Sequence, residues 1–395
     1  MAQRSSLLAR QPVIIAERRE YDRRTKNPQT VRNDKPDVDH VGVSGRGVFA
    51  SVDRRSHWRT ARYAVGALCA LAALYLCAVN VQWAEVLDAF RRASLPWTTA
   101  ATASVLLTLA LVTIRWGLLV DAGPELAPPG GPIEPGPNER LRRRWRVLWD
   151  SVVLGQAVNI LVPLRFGEGA RLAVTCRGLR IPVGRVIVGL ALERAFDIAA
   201  FTTIVFVLLL AGWMPDAFAG LLPTAATVTL ATMSVALLSV RFLPRGLAWL
   251  RPRLGVLAPA AAWIEAQESA MRSGWTDVTR RHRLAMTALL TALIPVTAAA
   301  TNLLVLRGFS LAVPAIAALV LLVVLQIGTA MVSVPGNIGV FHYLTVVTLA
   351  AWGVPRPTAL ATAVVLHAVS LGPKVLLAAF SQLLGQDALV SRPHR

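Results

Sequence analysis

Apolar residues in this chain come in long runs, separated by short Arg-rich or Pro/Gly-rich breaks. A helix that crosses a bilayer needs ~20 mainly apolar residues. Runs of about that length cover 63–81, 97–120, 183–210, 220–240, 284–306 and 358–384. Two further apolar stretches end abruptly. One, 147–164, runs into Pro163 and Arg165, and the other, 312–334, runs into Pro335 and Gly336 and is followed by a short apolar piece at 340–352. Residues 1–60 are polar and Arg-rich, with no sustained period. The stretch 17–39 mixes both charge signs around Pro28 and Pro36 and reads as disordered. Such a tail either rests on anionic lipid headgroups or is simply a solvated arm.

The broken stretches decide the topology. If 147–164 crossed fully from inside, Arg165, Arg171, Arg177, Arg180 and Arg185 would lie outside. Two spans later so would the eight arginines of 241–283. That opposes the tendency of inner loops to collect Arg and Lys. A hairpin that enters from the cytoplasm, turns near Pro163 and leaves by Arg177 removes both conflicts. By the same parity the segment broken at Pro335-Gly336 enters from outside. The expected architecture is an all-α polytopic membrane protein with about six full spans and two re-entrant hairpins, at about 147–176 and 312–352. They sit in a membrane domain of 61–385. A cytoplasmic loop at 241–283 and a cytoplasmic tail at 386–395 complete it.

An internal repeat agrees with this reading. Residues 162–174 and 334–346 share the pattern V-P-x3-G-x4-L-x-V, five identities in thirteen positions. The shared breaks are Pro163 and Gly167 in one copy, Pro335 and Gly339 in the other, with Gly336 beside them. The parity argument separately gives the two copies opposite orientations. Inverted repeats with broken helices that meet near the midplane are a transporter design.

Composition sharpens the class. The chain has 395 residues, of which 55% are hydrophobic and 16% charged. Soluble domains carry about 25% charged residues. The net charge of +19 sits in the tail and a few loops, so inner-loop placement accounts for it better than nucleic-acid binding does. The basic loops suit anionic lipids. Cys69, Cys77 and Cys176 show neither a disulfide framework nor metal spacing. The first apolar run is expected to act as an uncleaved anchor. No nucleophile–base pairing or phosphate-binding Gly loop is visible, no metal or cofactor is implied, and oligomeric state leaves no mark.

The chemistry lies where charges enter apolar runs. Arg165, Glu168 and Arg171 are spaced i, i+3, i+6 beside the first break. Glu193 and Asp197 share a helix face, with Arg194 between them. Ionisable groups within a span are costly and face a bundle interior or an aqueous path. Irregular backbone at membrane depth survives only in protein or beside a water-filled cavity. These residues, with Asn159, Asn337, His342 and His367, are therefore candidates to line a cavity for a lipid headgroup. The arginine forks suit phosphate. The alternative is an ion-pair network that only locks helices together. His367 aligns loosely with Glu193 when the repeats are overlaid.

At these residues the chain resembles a known family. Asn159-x3-Pro163-x-Arg165-x-Gly167-Glu168-x2-Arg171, then Glu193-Arg194-x2-Asp197, is similar to the lysylphosphatidylglycerol synthase transmembrane-region family. Pro335-Gly336-Asn337-Ile338-Gly339-Val340 is similar to its Pro-Gly-Gly-x-Gly motif. The resemblance covers about residues 60–385. It implies a flippase-like module of the plasma membrane that handles a phospholipid or a polyprenyl-linked glycolipid. Two departures stand out. No soluble aminoacyl-transferring domain is visible, so lysyl transfer is not expected. His342 stands where many relatives have Glu, and His367 near where they have Arg. Translocation is the leading expectation. An integral membrane enzyme or accessory subunit acting on a polyprenyl phosphate or phospholipid, or a non-transporting scaffold, are the alternatives.

The topology is testable by cysteine accessibility, with single cysteines at Ala217 and Ser273 in a background free of the three native ones. In intact cells an impermeant maleimide is expected to label position 217 and not 273. Labelling at 273 from outside contradicts cytoplasmic placement of 241–283.

Overall fold

The structure is a computed structural model. It describes residues 81–120, 136–162, 166–215, 258–331 and 334–390, with isolated positions in 71–79 and 227–249. The expected tail at 1–60, residues 391–395 of the expected tail 386–395, most of the runs 63–81 and 220–240, and residues 163–165 lie outside the described residues. Pro163 and Arg165 are among them.

Among the described residues the chain forms ten α-helices, one 3-10 turn and no strand. They are α1 (Trp83–Arg92), α2 (Leu95–Val120), α3 (Pro137–Leu161), α4 (Gly167–Leu179), α5 (Val183–Leu210), α6 (Ala258–Val278), α7 (Arg281–Gly308), α8 (Ile316–Met331), the 3-10 turn (Pro335–Asn337), α9 (Val340–Ala350) and α10 (Arg356–Val390). The protein is an all-α membrane protein. Helices α2 and α7, and α10 as far as Leu383, are long and apolar enough to cross a bilayer, with mean hydropathies of 2.0, 2.0 and 1.8. They are three of the six expected full spans. A fourth, 183–210, is one continuous helix of 28 residues that carries charge in its middle.

Three segments differ from the simple pattern of runs and loops. Trp83–Arg92 is a short amphipathic helix whose Val86 and Ala89 are buried, and it packs on α10. The basic stretch 140–146 is helical: it forms the exposed early turns of α3, begun by Pro137 at the first position, where its missing N–H costs nothing. The region 241–283 is not all loop, because it holds the 21-residue α6. That helix is fixed to α5. The Gly184 N–H donates to Gln267 Oε1 at 2.7 Å, and Arg185 Nη2 meets Asp277 Oδ2 at 2.6 Å.

The repeat is visible in the backbone. In one half α3 breaks, returns as the shorter α4 packed against it, and hands over to the long α5. In the other, α8 breaks at the 3-10 turn, returns as α9 packed against it, and hands over to the long α10. Each break has its own device. In the first, Gly167 approaches α3 so closely that an added Cβ would lie 2.0 Å from the Gly155 carbonyl oxygen and 2.5 Å from Asn159 Cγ. The Asn159 Oδ1 accepts the Gly167 N–H at 2.8 Å, capping α4 from across the hairpin. In the second, Gly336 and Gly339 take φ of 65° and 85°, a region L side chains avoid, and Asn337 takes 54°. The 3-10 turn also touches α3, so the second break lies against the first hairpin.

The most extensive pairing joins α2 to α7, with polar stitches between them: Ser104 Oγ donates to the Thr297 carbonyl at 2.9 Å, and Thr108 Oγ1 to Thr297 Oγ1 at 2.8 Å. Small hydroxyl residues let helices approach closely where lipid supplies no hydrophobic force. One apolar cluster gathers Trp116, Leu119, Leu148 and Val186, and others gather Leu306 with Leu349 and Leu321 with Leu366.

The Gly167 contact gives a local test. Gly167→Ala is expected to destabilise the protein by ~1–3 kcal/mol, as overpacking does. Gly169→Ala, in the same helix with nothing within 4 Å of the added carbon, is expected to be neutral or slightly stabilising. Thermal unfolding of detergent-purified protein reads both. Equal midpoints for the two variants contradict the close hairpin.

Candidate functional site

The charges of the apolar runs meet at one place. Arg115 projects from α2, Arg171 from α4, and Glu193, Arg194 and Asp197 from α5. Arg115 Nη2 donates to Glu193 Oε1 at 2.9 Å. Its Nη1 donates to Asp197 Oδ1 at 2.5 Å and to Thr291 Oγ1 of α7 at 3.1 Å. The second carboxylate oxygen of Glu193 lies 2.8 Å from Arg171 Nη1. The Arg171 guanidinium sits 3.9 Å above the Trp116 ring, a cation–π contact. Trp116 in turn points its Nε1–H at Thr175 Oγ1, at 3.3 Å. Glu193 is thus a carboxylate held between two arginines, and Arg115 an arginine held between two carboxylates.

Burial divides the cluster into two layers. The Arg115 and Glu193 side chains are 2% and 5% exposed, whereas Arg194 is 49% and Asp197 33%. The inner layer is almost fully buried. The outer layer, Arg194 paired with Glu168 and reaching Asp197 at 3.7 Å, faces open space. Taking one partner from a buried ion pair costs ~3–5 kcal/mol because it leaves an uncompensated charge. A half-exposed pair is worth ~1 kcal/mol or less. The inner layer therefore holds helices together, and the half-exposed Arg194–Glu168 pair adds little to stability.

The open space is a cavity of about 500 Å³. Arg115, Asn159, Gly167, Glu168, Arg171, Glu193, Arg194 and Asp197 line it from the first half. Val334 and Asn337 line it from the second break. Both breaks therefore open on one space. Its second-half wall is polar without being acidic, through Asn302, Gln326, Thr329, Ser370 and Lys374. Two helix prolines lie at the wall. Pro295 lines it directly, and Pro373 sits between Gly372 and Lys374 in α10. Each removes one backbone N–H and leaves a carbonyl one turn earlier without its helical partner.

Asn159, Glu168, Arg171, Glu193, Arg194, Asp197 and Asn337 line this cavity, and two of the residues picked out in the sequence do not. Arg165 lies outside the described residues. His342 and His367 form a pair with ring centroids 4.8 Å apart, and His367 Nε2 lies 2.8 Å from the Gly336 carbonyl oxygen. Neither is part of the cavity lining, whose wall beside them is Phe341. The pair braces the second break from behind. Arg115 is the residue that sequence reasoning passed over, because it stands near the end of an apolar run, where an arginine ordinarily reaches for the headgroups. A charge tally would have found it. Helix α5 carries two carboxylates and one arginine within five residues, and a neighbouring helix has to supply the missing cation.

Comparison with protein families decides the relationship. The sequence profile described as the lysylphosphatidylglycerol synthase transmembrane region matches residues 61–378. The chain belongs to that family. No curated protein and no solved structure matches it. The matched region holds every helix described above except the last turns of α10, so the charged cluster and both breaks lie within the lysylphosphatidylglycerol synthase transmembrane region.

The two layers respond differently to substitution. Glu193→Gln is expected to lower the folded yield and the unfolding midpoint sharply, since Arg115 and Arg171 then share a buried site without their bridging carboxylate. Arg194→Gln is expected to leave both within a few degrees of wild type. Size-exclusion profiles and thermal unfolding of the two purified variants check this. A stable Glu193→Gln protein contradicts the locking role.

Proposed function

We propose that the protein translocates a lipid headgroup across the bilayer through the cavity where the two breaks meet. The observation that carries the reading is that cavity: walled by ion-paired residues and broken backbone, and enclosed by apolar helices. Such a place offers a polar headgroup a path that lipid does not, while acyl chains remain among the apolar faces outside. Family membership relates the chain to the membrane part of a phospholipid-synthesising system, and a fold alone fixes no function. The reading takes the two helix–break–helix units as re-entrant hairpins of opposite orientation, in the plasma membrane, with both termini in the cytoplasm. Rocking of one half against the other around a fixed site is the general mode of such repeats. The substrate is then a phospholipid or a polyprenyl-linked glycolipid.

The outer-layer residues contact the headgroup under this reading. Glu168 lines the cavity, and its Oε2 is buried without a hydrogen-bond partner among the described residues, so the carboxylate has acceptor capacity that its pair with Arg194 does not use. Arg194 can exchange its carboxylate for acceptor oxygens of the headgroup, to which its donor fork is suited.

Liposomes reconstituted with the purified protein test this, using fluorescent phosphatidylglycerol or a fluorescent polyprenyl-phosphate sugar and a membrane-impermeant quencher. Wild-type protein is expected to expose inner-leaflet probe for one of the two lipids. The Glu168→Gln/Arg194→Gln double variant is expected to be at least ~10-fold slower with a normal unfolding midpoint, a loss of about 1.4 kcal/mol. Equal rates for wild-type and protein-free liposomes with both lipids contradict translocation. Disappearance of a modified lipid from cells lacking the protein, with leaflet distribution unchanged, favours the enzymatic alternative.

A further inference from the structure

The charges that line the cavity do not cancel. Three guanidinia, Arg115, Arg171 and Arg194, are matched by three carboxylates, Glu168, Glu193 and Asp197, each joined by an ion pair. Lys374 remains. It lies on the α10 wall of the same cavity, well inside the apolar stretch Arg356–Leu383, and no hydrogen-bond or ion-pair partner for it is found among the described residues. The other polar residues that line the cavity from α8, the 3-10 turn and α10, namely Gln326, Thr329, Asn337 and Ser370, are neutral.

An ammonium at membrane depth costs ~2.5–3.5 kcal/mol on insertion scales. Every arginine of the cavity offsets that cost with a carboxylate of the protein, and among the described residues Lys374 has none. A folding role would be served better by leucine or methionine. The group that completes its environment therefore comes from outside the chain, and it is an anion. A lysine is a compact point charge with three rotatable donors, suited to an oxyanion that arrives and leaves, whereas the arginines are committed to fixed geometry.

We infer that Lys374 is the cavity's anion anchor, holding the phosphate oxyanion of the ligand on the second-half wall, while Glu168 and Arg194 meet the rest of the headgroup on the first. The inference deepens the translocation reading and rests on it for the ligand's being a lipid. It also reassigns the phosphate from the arginine forks, most of which the carboxylates occupy, to a lysine at a different helix.

Binding to the full-length protein in detergent tests this, read by thermal unfolding with three probes: short-chain phosphatidylglycerol, the uncharged diacylglycerol of the same chains, and inorganic phosphate. Wild-type protein is expected to be stabilised by phosphatidylglycerol and not by diacylglycerol. Lys374→Met and Lys374→Gln are expected to weaken phosphatidylglycerol binding at least ~10-fold, and Lys374→Arg to keep most of it. Without ligand, Lys374→Met is expected to unfold at the wild-type temperature or above, because a lone buried charge has been removed. Lysine-dependent stabilisation by inorganic phosphate alone supports the anchor and makes its ligand a soluble phosphate. Unchanged phosphatidylglycerol affinity in both neutral variants overturns the inference, as does a ligand-free Lys374→Met protein that unfolds well below wild type. Either result leaves the liposome assay, which does not involve Lys374, to decide translocation separately.

Discussion

A guanidinium buried among apolar helices needs carboxylates, and the rest of this structure depends on where they are found. Arg115 sits in α2, one of the most apolar helices in the chain, with almost no contact with solvent. Its two partners lie one turn apart on α5, and the hydroxyl of Thr291 on α7 takes the remaining direction. Three helices are thereby set relative to one another by one side chain. Glu193 extends the constraint to α4 through Arg171, and the stacking of Arg171 on Trp116 returns it to α2. The loop of contacts closes on itself. Low dielectric strengthens each pair and makes each missing partner costly, so the cluster is stable complete and unstable in part.

That closed network explains why a cavity can persist beside it. Irregular backbone and open polar space at membrane depth weaken a helix bundle unless something rigid supports them. Here the support is the inner ion-pair layer on one side and, on the other, the glycine turn braced by His367 and Phe341. The outer pair of Arg194 and Glu168 is left half-exposed between these two supports. Rigid walls with one adaptable surface are what a site needs if it is to accept and release a charged headgroup without collapsing.

Much of this was legible in the residues. Long apolar runs marked α2, α5 and α7 to within three residues and α10 to within six, because a long apolar run favours a continuous helix. The Pro335-Gly336 break coincides with the end of α8 and the 3-10 turn that precedes α9. The spacing of Glu193, Arg194 and Asp197 marked a charged face within one apolar run. Three things were hidden, each for a physical reason. Amphipathic α1 and the solvent-facing turns of α3 carry too little apolar signal to stand out beside membrane spans. The role of Arg115 depends on a partner helix nearly eighty residues away along the chain, which periodicity does not report. The histidine pair reads in sequence as two candidate site residues, whereas packing turns it behind the cavity wall. Local pattern revealed the elements and their breaks, and only tertiary contact sorted the charged residues into those that lock and those that face open space.

The central claim is that Arg115 and Glu193 act as one buried unit beneath the cavity. A double-mutant cycle on unfolding stability tests it most directly, with Arg115→Met, Glu193→Gln and the pair together. Residues in direct contact couple by ~0.5–3 kcal/mol. The account predicts that each single variant is strongly destabilised and that the double variant is more stable than the sum of the two losses, with a coupling at the upper end of that range. Additive losses, or single variants as stable as wild type, would contradict it.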